Sequence, residues 1–397
     1  MKRYWRLIAV ILLVVLTIGT FYIQSAIAAN GLQDITVEKV SGNEDEMEPV
    51  TISGSYMLGN AMDESVQVDV EGTTYGSEQS FFKRFRNGFF HERILQLQQA
   101  HRNFMRGKGG SISSYMETAD TLAYANVINQ TMPGRGEIKF DIAVLDKKND
   151  ETTSFTVPVP NRAMYAQVQV QDVQMTDDEL HVMTRNYPRD GGEEAHLYRF
   201  DIPDQDITGD DTMISGDIQE SERTYFNMVT DSDETASHDD VIFKKTTRTS
   251  GLDDDQNSGA EQPAQDVTNN YIIYDPETEE TRSLELPESL VDQDILDRDN
   301  TTLYFGSQQQ IVQYDLETEQ ITSEIEVPTS YEETEKLGSI TRIKNDKAYM
   351  LTRNQQAPRR LLVLDLTSGN TLFEGKIKLD EPVGQDASLH FYELSVE

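Results

Sequence analysis

Asp204 and Asp206, followed by Thr208, Gly209 and Asp210, stand in the one, three, five, glycine order of a calcium loop, which surrounds a hard cation with oxygen. The order fails at the twelfth position, where Ser215 replaces the glutamate that would add two oxygens. Calcium at Asp204 and Asp206 is one reading; solvated turn carboxylates are the other. Neither Asp231-Ser-Asp233-Glu234 nor the acids from Asp292 to Asp299 are better ordered. Ser80 and Lys83 have the spacing of a lysine-assisted serine nucleophile, and Tyr124-Ala-Asn126 resembles a second element of that chemistry, but the Lys-Thr-Gly strand that completes it is missing. There is no Gly-x-Ser-x-Gly elbow and no phosphate-cradling glycine loop.

The six histidines (91, 101, 181, 196, 238 and 390) show no metal-ligand spacing. His181 and His196 fall on strands expected to be neighbours, so a cross-strand pair stands beside the reading of two separately satisfied histidines. With 70 acidic residues, a general acid and base for glycoside hydrolysis would be hidden by abundance. The chain has no cysteine, which removes disulfides, thiolate zinc sites, a cysteine nucleophile and a lipidated-cysteine anchor.

The sharpest local feature is basic. Between Ser80 and Lys108 seven Lys and Arg face a single acid, Glu92, and Phe90, Ile94, Leu97, His101 and Phe104 follow at helical spacing. The spacing predicts a helical insertion over residues 79–107, broken near Asn87-Gly88. Arg93, Arg102, Arg106 and Lys108 then become docking candidates for an anionic partner, such as lipid headgroups, a wall polymer or an acidic protein face. The competing expectation is that the apolar stripe packs on the protein's own core and the arginines pair with its own carboxylates.

The rest of the chain must supply the frame. Tyr271-Ile-Ile-Tyr-Asp275, Val312-Gln-Tyr-Asp315 and Leu361-Leu-Val-Leu-Asp365 each end an apolar strand at an aspartate and a polar turn, with another strand before and one after. Glu179 to Thr184 with His196 to Asp201 is an earlier copy, as are Leu122 to Ile128, Glu137 to Leu145 and Ser154 to Val157, with Lys147 to Asp150 as their turn. Val241 to Phe243 is expected to pair with Tyr271 to Ile273, across an acidic flexible loop over 246–270. About four strands per 40 to 50 residues is blade spacing, giving about five blades from 112 to 380. Pieces near 35–40, 50–57, 66–70 and 388–396 are expected to form a mixed closing blade from both ends. On these repeats the chain resembles β-propeller-like proteins exported by bacteria. The resemblance implies a mainly β fold of about six four-stranded antiparallel blades and carries no active-site residues.

Charge and hydropathy place this frame. The 397 residues carry a net charge of −36, and Lys2, Arg3 and Arg6 are the only charges among the first 31. An acidic body repels nucleic-acid phosphate, so a nucleic-acid partner is excluded. The basic stub 1–6 precedes an apolar run, 7–24, read as a transmembrane anchor or a signal segment with possible cleavage after Ala28. The charge bias places the amino terminus in the cytoplasm and residues 30–397 outside. The expectation is a non-enzymatic binding or scaffold protein held at the cytoplasmic membrane, beside a transporter or sensor. The alternative is a propeller-type polysaccharide hydrolase or lyase using acidic residues.

Overall fold

The computed structural model describes residues 32–58, 62–79, 92–128, 138–176, 178–216, 222–229, 235–238, 240–249, 267–275, 278, 280–291, 293–299, 301–306, 310–328, 339–352, 359–379 and 387–396. Strands β1 (Ile35–Gly42), β2 (Val50–Leu58), β3 (Met62–Asp69) and β4 (Gly72–Tyr75) come first, followed by helices α1 (Glu92–Ala100) and α2 (Arg102–Met105). Four antiparallel meanders succeed one another. The first is β5 (Tyr115–Glu117), β6 (Thr121–Ile128), β7 (Lys139–Asp146) and β8 (Glu151–Pro158). The second is β9 (Tyr165–Thr176), β10 (Glu179–Pro188), β11 (Glu193–Asp201) and β12 (Asp206–Gly216). The third is β13 (Glu222–Val229), β14 (Val241–Thr249), β15 (Val267–Tyr274) and β16 (Thr281–Leu284). After the short α3 (Glu288–Val291), β17 (Asp294–Arg298), β18 (Thr302–Gly306), β19 (Gln310–Asp315) and β20 (Gln320–Glu326) make the fourth. A fifth meander follows, β21 (Ser339–Lys344), β22 (Lys347–Thr352), β23 (Arg360–Asp365) and β24 (Thr371–Leu379), before the final strand β25 (Ala387–Val396). The fold is thus mainly β and β-propeller-like, with six antiparallel blade sheets.

The chain divides into two compact units, one over 89–324 and the other over 1–88 and 325–397. In the contiguous unit, successive sheets pack face to face. Phe140, Ile142, Val182, Tyr198 and Phe200 fill the layer between the first and second sheets. Met183, Leu197, Phe226 and Phe243 lie between the second and third, and Ile273, Leu303, Phe305 and Tyr314 between the third and fourth. Strands buried on both faces explain the near-continuous apolar runs of β6 and β7. The other face of the first sheet is covered by the helices, whose Ile94, Leu97, Phe104 and Met105 meet Leu122, Tyr124, Ala143 and Leu145.

In the second unit the ends of the described chain join. Strand β25 pairs with β2 (Ile52 opposite Leu394) and β2 with β3, so the sheet order is β25-β2-β3-β4. One expectation fails here. Residues 35–40 do not enter this sheet; β1 instead adds a fifth strand to the β21–β24 sheet, with Val37 opposite Ile377. Its alternation decides this, because it places Ile35 and Val37 on the core side with Phe373 and Ile377. Gly42 completes the contact: its φ is +86°, and an added Cβ would lie 2.0 Å from the Leu372 carbonyl oxygen.

The blades share one turn device, on more copies than the sequence reveals. In all six sheets the third strand ends at, or for β15 one residue before, an aspartate whose Oδ1 accepts the N–H three residues on. The pairs are Asp69 with Gly72 (3.2 Å), Asp146 with Asn149 (3.2 Å) and Asp201 with Asp204 (2.6 Å). Asp275 with Thr278 (3.2 Å), Asp315 with Thr318 (2.7 Å) and Asp365 with Ser368 (2.6 Å) complete the set. This side chain closes the hairpin by substituting for a backbone acceptor. Hydrogen bonds from Asn149, Thr318 and Ser368 hold the Asp146, Asp315 and Asp365 carboxyls below the usual carboxylate range.

Two further expectations are corrected. The acidic loop is shorter than 246–270, because β14 and β15 stay in register as far as Arg248 opposite Val267; β-branched and aromatic residues extend the ladder, and 250–266 lie outside the described residues. The helical stripe is not continuous, since His101 (φ −126°, ψ 53°) separates α1 from α2. The 80–91 part of the insertion and the apolar run 7–24 lie outside the described residues. Among the described residues no helix is long and apolar enough to cross a membrane.

Candidate functional site

The basic insertion sorts into two groups. Arg93 of α1 donates to Glu117 Oε2 at 2.8 Å, Lys147 binds the other oxygen of that carboxylate, and His101 Nε2 stands 3.6 Å from it. One acid at the end of β5 thus gathers three basic side chains. Lys108 donates to the Phe104 carbonyl at 2.7 Å and sits 4.1 Å from the centre of the Phe104 ring; burial lowers its pKa against the opposing pull of Asp141. Arg102 and Arg106 are exposed instead. Arg102 opens α2 and Arg106 is the extended residue that follows its last turn. With Gln98, Asn103 and Met105 they line an open depression of about 440 Å³.

A second cluster lies where the first strands of the four contiguous sheets meet. Residues 235–238 and 240, between β13 and β14, are gripped from three of them. The Glu117 N–H of β5 donates to the Thr235 carbonyl at 2.9 Å. On β9, the Gln174 side chain donates to the Ala236 carbonyl at 3.2 Å and accepts the His238 N–H at 2.9 Å. From β17, Arg298 reaches Asp240 Oδ1 at 2.6 Å with a side chain only 2% exposed. Gln174 also donates to Asp172 Oδ2 at 2.9 Å. Burial pushes the Asp172 carboxyl up to about 6, although Gln174, His238 and Arg298 pull it down. Asp297, next to Arg298, is buried as well. The cluster therefore combines a carboxyl whose pKa burial pushes up to about 6 with a second one, Asp240, bound to a guanidinium.

The sequence candidates for calcium do not converge. Asp204 occupies the Asp201 turn, Asp206 begins β12 and accepts the Ile207 N–H, and both are exposed. Among the described residues no group of three acids or histidines is placed to hold a metal ion. His181 and His196 do lie on adjacent strands, but His181 opposes Arg199 and His196 opposes Thr184. Three positions apart, they point to opposite faces, and the cross-strand pair does not form. His181 meets Glu179 at 3.0 Å, while His196 meets Glu194 and Asp210. Ser80 and Lys83 lie outside the described residues. Asp172, Gln174, Asp240 and Arg298 escaped sequence reasoning; the one local signal is the i, i+2 spacing of Asp172 and Gln174, which puts both on one strand face.

No protein-family model matches the chain, and no curated protein matches it. Among solved structures it is similar to TolB from Acinetobacter baumannii, at 11% identity over 85% of this chain and 70% of that one, with a TM-score of 0.30. It is also similar to the β-propeller domain of the Trilobed protease from Pyrococcus furiosus, at 8% identity over 88% and 86%, TM-score 0.33. The GH43_1 enzyme from Xanthomonas citri gives 11% identity over 67% and 85%, TM-score 0.25.

Proposed function

We propose that the protein is an extracytoplasmic, membrane-tethered binding or scaffold protein that meets an anionic partner through Arg102 and Arg106. The observation that carries this reading is the sorting of the basic insertion: Arg93 and Lys108 are held within the fold, whereas Arg102 and Arg106 face outward around one depression. On a chain of net charge −36, such a patch is the local exception that an anionic group would seek. The apolar run 7–24 supplies the tether in this reading. Replacing both arginines by alanine should leave the melting temperature unchanged, since exposed substitutions alter stability by no more than about 0.5 kcal/mol. The same double variant should lose a partner that crosslinks to the wild-type protein in membranes, and added salt should weaken that capture. Identical crosslinked partners from both forms would sink the proposal.

A second reading, hydrolysis of a polysaccharide, is favoured by one observation, the Asp172 carboxyl, pushed up by burial, beside the Arg298–Asp240 pair. On this reading Asp172 supplies the proton and Asp240 the ionised carboxylate. The wild-type protein should then release reducing ends from envelope polysaccharide, and Asp172→Asn should lower that rate at least about 100-fold. Absence of release by the wild type removes the reading.

A further inference from the structure

His196 sits in the middle of β11, 4% exposed, and its two ring nitrogens meet two different carboxylates. Nδ1 lies 3.0 Å from Asp210 Oδ1 on β12, and Nε2 lies 2.9 Å from Glu194 Oε2, two residues back on the same strand face. A neutral imidazole has one N–H, and an ionised carboxylate can only accept. Both bonds therefore exist together only when the ring is an imidazolium. The ring also stacks on Tyr198 (centroids 5.7 Å apart, 14° between planes), and Tyr198 in turn packs at 4.8 Å on Phe140 of the first sheet.

We propose that His196 is a proton-operated clasp: protonated, it ties the outer strand β12 to β11 and steadies the face that meets the first sheet, and an alkaline exterior releases it. The surroundings are complete enough to exclude a rival titration. From β9 comes the Tyr165 hydroxyl, 3.3 Å from Nε2, and from β12 the Thr212 hydroxyl at 3.4 Å. From β10, Thr184 and Asn186 are uncharged, and Asn186 donates to the Tyr198 hydroxyl at 3.0 Å. Burial pushes the Tyr165 hydroxyl up to about 12 and that of Tyr198 higher still, so neither ionises near neutrality. For His196 itself, burial disfavours the charge but is outweighed by the Asp210 and Glu194 carboxylates, and the pKa is raised. A raised histidine pKa contributes stability that is whole below the ordinary value of about 6.5 and is lost as pH climbs through the folded value.

The experiment is a pH titration of the full-length protein in detergent, following the histidine ring signals by NMR and amide exchange across β12. The His196 ring should titrate above the ordinary histidine value. Protection of the β12 amides, corrected for intrinsic rates, should fall by up to about tenfold per pH unit between the ordinary histidine value of about 6.5 and that titration, and level off above it. His196→Gln should abolish this pH dependence, and Asp210→Asn should shift the ring titration downward. If His196→Gln does not fold, the Asp210→Asn shift carries the test. A His196 ring that titrates at or below the ordinary value, or β12 protection that is flat across that range, overturns the proposal.

Discussion

Replacing Arg298 with methionine is expected to destabilise the protein by about 3–5 kcal/mol, the cost of stripping one partner from a buried ion pair. The guanidinium is almost wholly enclosed, holds Asp240 at 2.6 Å and draws down the pKa of Asp172. Without it, Asp172 keeps its burial with one cation fewer, Asp240 loses its partner, and residues 235–238 and 240 lose their hold on β17. The measurement is the urea midpoint at unchanged slope. The sign with pH is fixed by Asp172, whose raised pKa means that its ionisation opposes folding above about 6. Arg298 offsets that opposition. The loss should therefore be larger at pH 8 than at pH 4.5, where Asp172 is protonated. A cost under about 1 kcal/mol at pH 8 would show that the cluster relaxes into solvent when opened.

The second large effect is expected at Phe140. Its ring is fully buried, 4.8 Å from Tyr198 and 5.1 Å from Phe200 in the layer between two sheets. Phe140→Ala should cost about 3–5 kcal/mol, because two opposed sheets cannot close over the cavity as a loop could. Phe140→Leu, which keeps most of the volume, should cost less than half as much. Equal losses from the two variants would mean that ring stacking, and not volume, dominates this layer.

Much of the frame was legible because the blade repeat is written in strand alternation. The partners of Val241 to Phe243, the hairpin of Glu179 to Thr184 with His196 to Asp201, and the pairing of the segment near 388–396 with that near 50–57 all follow from apolar runs bounded by turns. The turn aspartate was visible at three blades, where Glu-Thr-Glu or Thr-Ser-Gly follows it, and hidden at Asp69, Asp146 and Asp201, where the following residues differ. Spacings of 77, 55, 74, 40 and 50 residues between successive turn aspartates mask the period, because insertions fall between blades and within them.

What was illegible is long range. Nothing near Arg298 in sequence announces that it will meet Asp240, 58 residues away, or that Gln174 will hold the backbone at Ala236 and His238. Among so many acids, a carboxylate with a buried partner looks like any solvated one. The basic insertion stood out for the opposite reason, since rarity is a signal in an acidic chain. Its division into inward and outward residues depended on Glu117, whose role comes from tertiary position alone.

The pairing of β25 with β2 has a consequence for biosynthesis. More than 300 residues separate these neighbours, and the whole 89–324 unit is made in the interval. During synthesis β2 and β3 therefore wait with an open edge until the last strand arrives, while the contiguous unit can mature with its local meanders. That interval is the protein's period of exposure to chaperones and proteases. A truncation within residues 387–396 would make the exposure permanent.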